Sequence, residues 1–339
     1  HEGSIAIGKQ SLQNLTTGAG NIGIGADTLK QITTGARNVV VGSYALDQSS
    51  GGTADSSSDN VAIGNSAMGG NFVDDAASNN NVAVGGNALS GALDGATYNT
   101  AVGHGSLAAV TEGDYNTGIG QNAGMAISTG IKNTAVGSSA IASNSTGNNN
   151  TAVGLSALEQ GTGSDNTMVG YQCGNGVSTG ANNTGLGSDC AFDVDANNQT
   201  AIGYQATTDS ANDIAIGNTS VDEVKGQVDF TTFSDKRIKR DIKDGNLGLD
   251  FINDLRPRKF KKVNPAMYPK SIKKPNDGKG MEWTDAQANK VWDGLIAQEV
   301  KDAMDKAGTT YSGWSEESNS KQLVGYSTMV VPLIKAVQE

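Results

Sequence analysis

The chain is 339 residues long, carries 46 glycines and has aromatics at only 5% of its residues. That length suffices for two or three ordinary domains, but the composition is too poor in large apolar side chains for one big globular core, and the glycines are too irregular for a collagen-type period. The net charge of −11 disfavours phosphate-bearing partners, and the apolar runs are far too short for membrane insertion.

The charge is unevenly divided. Residues 1–233 hold 5 Lys+Arg against 20 Asp+Glu, whereas 234–339 hold 19 against 15. An acidic N-terminal part and a basic C-terminal part predict two units with different roles, and the acidic part is not expected to bind nucleic acid. No charged segment followed by an apolar one opens the sequence, so a secretory signal is not expected, and His1 reads as a trimmed or tagged start.

Residues 1–217 are a repeat. Its core is N-[TV]-A-[VI]-G-x-x-A, seen as NTAVGHGSL at 99–107, NTAVGSSAI at 133–141 and NTAVGLSAL at 150–158. Most steps between successive motif glycines are sixteen or seventeen residues, and the longer ones carry Gly/Ser/Asp-rich insertions. A fixed short period of this kind predicts one rung per repeat in a stacked solenoid. Thr134 and Val136, Thr151 and Val153, and Ile214 and Ile216 alternate onto one face of a short strand. Ala135, Ala152 and Ala215 take the opposite, closely packed face. The glycine serves a turn, Ala123, Ala140 and Ala157 fit a second tight slot, and the asparagines suit turns and ladders. A roll of Ala and Val is thin, so side-by-side packing of several chains is expected to supply the missing burial.

This motif resembles the head repeats of trimeric autotransporter adhesins and the phage tail-fibre segments that share them. The resemblance covers residues 4–217. It implies a left-handed parallel β-roll with three chains around one axis, acting as a rigid shaft.

Chemistry inside the repeat is sparse. Cys173 and Cys190 both fall three places after a motif glycine, so they stack on neighbouring rungs about 4.8 Å apart. Two small buried thiols is the simpler reading; a disulfide is also within reach at that spacing. DVDANN at 193–198 starts like a calcium loop but lacks the glycine, and Tyr204 stands where the bidentate Glu belongs. His104 has no partners at metal spacing. The repeat has no phosphate-loop motif and no tryptophan for stacking sugars, so neither a cofactor nor a metal is expected. The insertions at 47–59, 69–80 and 90–98 are the expected contact loops, by exposure alone.

Composition changes after Gly217. VDEVKGQVDF at 221–230 alternates like a strand pair and leads into the basic stretch FSDKRIKRDIKD at 233–244. Beyond it, periodicity predicts a short helix over 247–254 before Pro257, a buried strand over Gly294–Ala297 and an amphipathic helix over Glu299–Ala307 ended by Gly308. A last helix from about Ser327 places Met329, Val330, Leu333, Ile334 and Val337 on one face without an evident partner. The pattern is unfinished at Glu339, which predicts a continuing coiled coil. Trp283, Trp292 and Trp314 are expected to fill the small core.

These segments resemble the C-terminal intramolecular chaperone auto-processing domain of phage tail spikes and fibres. SDKRIKRDI fits the S-D-x-R-x-K opening, GLIAQEV the central motif and Tyr326–Met329 the closing Y-x-x-[LM]. The lysine-rich insert at 259–282 and the position of Pro332 depart from the pattern. The resemblance implies that Ser234 attacks the Phe233 carbonyl, that Lys239 is the base, and that the chain is cut between Phe233 and Ser234. Asp235 is assigned to positioning the turn and Glu299 to a place near the pair.

The expected fold is mainly β: a trimeric left-handed parallel β-roll (solenoid) over 1–217, a β connector over 218–233, and a small α+β chaperone domain with a C-terminal helix over 234–339. The expected function is a structural viral fibre protein whose C-terminal domain directs trimer assembly and then removes itself. Expected partners are two further copies of the chain, a host-surface receptor and other virion proteins, after synthesis in the host cytoplasm. The rival readings are a permanently attached, non-cleaving cap, a bacterial trimeric adhesin head, and a glycan-degrading spike.

Overall fold

The computed structural model describes residues 2–47, 56–70, 76–221, 223–227, 230–273, 283–317 and 320–339. Much of the first two insertions (48–55 and 71–75) lies outside the described residues. The chain divides into two compact units, His1–Asn218 and Thr219–Glu339, each with its own core. Among the described residues no helix is long and apolar enough to cross a membrane.

In the first unit, thirteen three-residue strands among the described residues, from β1 (Ile5–Ile7) to β13 (Ile214–Ile216), form one parallel sheet in sequence order. Neighbours pair residue for residue: Thr134 faces Thr151, Ala135 faces Ala152 and Val136 faces Val153. This is a parallel β-solenoid, the mainly β architecture expected. The central alanines are buried, and the flanking β-branched residues remain partly or largely exposed.

The core is not the thin Ala/Val roll that the motif implies. Leu29, Leu46, Leu89, Leu107, Ile141 and Leu158, each four places after a motif glycine, are fully buried. All six take left-handed backbone, with φ between 44° and 51°. That conformation costs an L-residue about 1–2 kcal/mol, and burying a leucine or isoleucine side chain contributes about 1.5–3 kcal/mol. The side chain's burial therefore holds the strained turn.

Two devices set the rung spacing. Gly137 has φ +129°, and a Cβ there would stand 2.4 Å from the Gly154 carbonyl oxygen. No side chain fits between turns that close. Beside it runs a ladder of buried asparagines. Asn133 Oδ1 accepts the Asn150 backbone N–H at 3.0 Å and its side-chain amide at 3.1 Å. Asn133 Nδ2 donates to the Gly147 carbonyl at 2.8 Å. The ladder starts at Asn21 and closes at Gln199. Each buried amide satisfies backbone groups that would otherwise go unpaired.

The second unit is built from short elements. They are α1 (Leu249–Asp254), β14 (Arg258–Lys261), α2 (Asp285–Asn289), β15 (Val291–Gly294), α3 (Ala297–Lys306), β16 (Trp314–Glu316), β17 (Gln322–Val324) and α4 (Val330–Gln338). β14 and β15 pair antiparallel, as do β16 and β17. The core gathers Phe251, Val300, Ala303, Met304, Tyr311 and Met329. Trp314 packs at its margin, and Trp283 and Trp292 lie outside it, so the tryptophans do not form the centre as expected. The strand expected over Gly294–Ala297 forms three residues earlier, because Trp292 pairs with Phe260 and Ala297 already opens α3.

Met329 points into the core, leaving Val330, Leu333, Ile334 and Val337 on an exposed helical stripe. Beside that stripe lies a groove of about 760 Å³ whose apolar wall includes Leu247, Tyr311, Val331 and Pro332. Between 218 and 233 no strand forms among the described residues, so the expected strand pair is not made there.

Candidate functional site

The basic stretch folds into a single tight turn. Lys236–Ile238 is one 3₁₀ turn, and Asp235 caps it by accepting the Arg237 backbone N–H at 2.8 Å. The same carboxylate pairs with the Arg237 guanidinium at 2.7 Å. The Arg237 side chain, and then its backbone N–H, hold the Asp235 carboxyl below its ordinary value.

The turn reverses the chain so that residues five apart meet. Lys239 Nζ donates to Ser234 Oγ at 2.7 Å. The bond needs no other element, which is why the spacing S-D-K-R-I-K matters. Phe233, on the other side of the bond expected to break, is 95% exposed.

What the pair lacks in one chain is an enclosure. Ser234 and Lys239 are both exposed. A lysine acts as a base only when neutral, which takes burial or nearby cations. Of the neighbouring cations, Arg237 is engaged by Asp235, and Arg240 lies 3.9 Å from Asp241.

Glu299 sits elsewhere in the second unit. It lies in the first turn of α3, accepts from Arg258 Nε at 3.0 Å and has a second, shorter bond to the same guanidinium. Arg256 adds an ion pair at 3.7 Å. Arg258, with a smaller contribution from Arg256, holds the Glu299 carboxyl below its ordinary value. None of the hydrogen bonds or ion pairs among the described residues joins Glu299 to Ser234 or Lys239. Its place is a clamp between β14 and α3. Arg258 went unnoticed in the sequence, where it reads as one more cation in a basic run.

Two sequence motifs meet that also looked independent. Tyr326 Oη accepts the Leu295 backbone N–H at 2.8 Å, so the closing Y-x-x-M touches the start of GLIAQEV. Among the described residues no group of three or more His, Cys, Asp or Glu side chains gathers in metal-binding geometry, DVDANN included.

Residues 234–309 match the family model for the chaperone of endosialidase. The C-terminal region carries a chaperone domain of that kind. The match begins at Ser234 itself, the residue after the expected cut. Neither a curated protein nor a solved structure matches the chain. The chain holds a β-solenoid of fibre-like repeats followed by a region that matches this chaperone family.

Proposed function

We propose that the protein is a trimeric fibre of a virus, most consistent with a phage tail fibre, whose chaperone domain aligns three chains and then cuts itself away between Phe233 and Ser234. The observation that carries this reading is the outer face of the solenoid sheet. Thirteen in-register strands present two columns of side chains over roughly 58 Å, and the second column is aliphatic throughout, from Ile7 to Ile216. Several of its members are well exposed in a single chain, Ile7, Leu186 and Ile216 among them. An apolar stripe that long needs a partner of the same length and pitch, and another copy of the chain supplies one. The α4 stripe of Val330, Leu333, Ile334 and Val337 makes the same demand within the second unit.

The first column supports parallel, unshifted association. It is Ile or Val in the first five strands but Thr in the next seven, Thr100–Val102 through Thr200–Ile202. Copies that run parallel and in register set every threonine rung beside a threonine rung while keeping all thirteen rungs of each chain paired. Otherwise the rungs are nearly interchangeable, and register is weakly specified. A trimerising domain at one end adds the missing alignment.

The Ser234–Lys239 bond supports the cleavage step. Packing of three chains around the exposed pair would exclude water and favour the neutral amine. Lys239 then takes the hydroxyl proton as Ser234 Oγ bonds to the Phe233 carbonyl carbon. The Phe233–Ser234 C–N bond breaks as Lys239 passes that proton to the departing amine. Water hydrolyses the resulting ester, freeing a Phe233 carboxylate and the Ser234 hydroxyl. Loss of the domain leaves the assembled shaft unable to retrace its assembly route, so its persistence rests on a high barrier to unfolding, which is kinetic stability. The host receptor is contacted by the shaft.

Light scattering on the full chain tests the assembly. Three chains per particle is the expected mass, and a single-chain particle at micromolar concentration would overturn the reading.

A further inference from the structure

One asparagine of the solenoid stands apart from the buried ladder. The sequence contains a single Asn–Gly step, Asn175–Gly176. The Val177 backbone N–H donates to the Gly174 carbonyl at 3.1 Å, which puts the two residues at the centre of a tight turn. Gly176 faces solvent, whereas the next residue, Val177, is fully buried.

The ladder asparagines are anchored through both atoms of the side-chain amide, as Asn133 is by Asn150 and Gly147. Asn175 Oδ1, by contrast, is buried without a hydrogen-bond partner. The Gly176 backbone N–H makes no hydrogen bond among the described residues. Nothing stands within 4 Å of where a Cβ on Gly176 would lie, and glycine gives the peptide its widest rotation. An unbonded, solvent-reachable amide nitrogen thus follows directly after an unanchored side-chain amide.

We propose that Asn175 is a self-modification site, whose side chain deamidates through a ring closed with Gly176. Asparagine is among the chemically labile side chains. The Gly176 nitrogen bonds to Asn175 Cγ, and Nδ2 leaves as ammonia with the amide proton. Water then opens the five-membered imide at either carbonyl, leaving aspartate or isoaspartate. Isoaspartate lengthens the backbone by one methylene immediately before the buried Val177. Either product also adds a carboxylate in the column of Glu159, since both residues lie five places after a motif glycine. The contact strained by this change is the one from the Ser178 N–H to the Val194 carbonyl, 2.7 Å long. Each rung leans only on its neighbours, so the shaft loosens at this point and not throughout.

The test incubates the folded full-length chain in warm, mildly alkaline buffer and follows peptide masses, with fragmentation that separates aspartate from isoaspartate. Conversion at Asn175 ahead of every other asparagine is expected, with a gain of about one dalton. Gly176→Ala should slow it about tenfold, because the added methyl restricts the turn. Hydrogen exchange should then accelerate around Val177 and Ser178 in aged wild type and stay unchanged in equally aged Asn175→Gln. An Asn175 that survives in the folded chain but converts in denaturant would overturn the site, because the fold would then be protecting it. Faster conversion at another asparagine would overturn it too, and unaltered exchange after full conversion would overturn the local loosening.

Discussion

Tyr326 Oη stands 2.5 Å from where a Cβ on Gly294 would lie, and it accepts the amide hydrogen of the next residue, Leu295. The glycine in GLIAQEV is therefore there to let a tyrosine thirty-two residues later reach the backbone. Gly294→Ala should push the ring off its partner and cost the chaperone domain about 1–3 kcal/mol. Tyr326→Phe alone should cost about 1 kcal/mol. In the double variant the two penalties should not add, because both remove the same hydrogen bond. Denaturant melts of the four proteins measure this, and full additivity would show that the two residues act separately.

The asparagine ladder makes a stronger demand. Asn133→Ala leaves the Asn150 backbone N–H and the Gly147 carbonyl without their side-chain partner inside the roll, while the Asn150 side-chain amide keeps only its bond to the Gly163 carbonyl. A loss of about 2–3 kcal/mol is expected. Hydrogen exchange should accelerate at the rungs on either side and much less at distant ones, since each rung contacts only its neighbours.

The clamp at Glu299 makes an acid-labile contribution. Its folded value lies below the unfolded one because of Arg258. A depressed carboxylate adds stability above its unfolded value and loses it as pH falls through the folded value. The melting temperature of the chaperone domain should therefore drop below about pH 4.3, the ordinary range for glutamate. Glu299→Gln should flatten that drop while lowering stability at neutral pH. An unchanged pH profile would remove Glu299 from the account of acid sensitivity.

How much of this was legible beforehand differs by element. The strands and their turns were, because Thr134-Ala135-Val136 recurs unchanged at 151–153 and a strand needs only its own alternation. The leucine core was not. Leu158 sits in a left-handed turn that propensity would forbid, and only the closed roll shows that its side chain points inward. The contact between Ser234 and Lys239 needs only one short turn, so their spacing of five residues makes it readable from the chain. The partners of Glu299, Arg256 and Arg258, were not legible, because they come from a run of cations with nothing to mark which one folds back. The tryptophans misled for a similar reason: Trp292 lies beneath the ammonium groups of Lys262 and Lys290, at 3.9 Å and 4.2 Å from the ring centre. Size alone suggested a core residue.

Assembly can be separated from folding on the outer face. Val153 is exposed in a single chain, so Val153→Lys should leave the rung intact. It should nonetheless reduce the trimer, because three ammonium groups would meet in the seam. Light scattering beside circular dichroism distinguishes the two effects. An unaltered trimer would place the contact between copies elsewhere.

The most direct measurement is intact mass under denaturing conditions, on freshly expressed wild type, Ser234→Ala and Lys239→Met. The account predicts two wild-type fragments meeting between Phe233 and Ser234. It predicts a single uncut chain for Ser234→Ala and slow or absent cutting for Lys239→Met with the trimer preserved. One uncut mass for the trimeric wild type would contradict self-processing and leave the chaperone domain as a permanent cap.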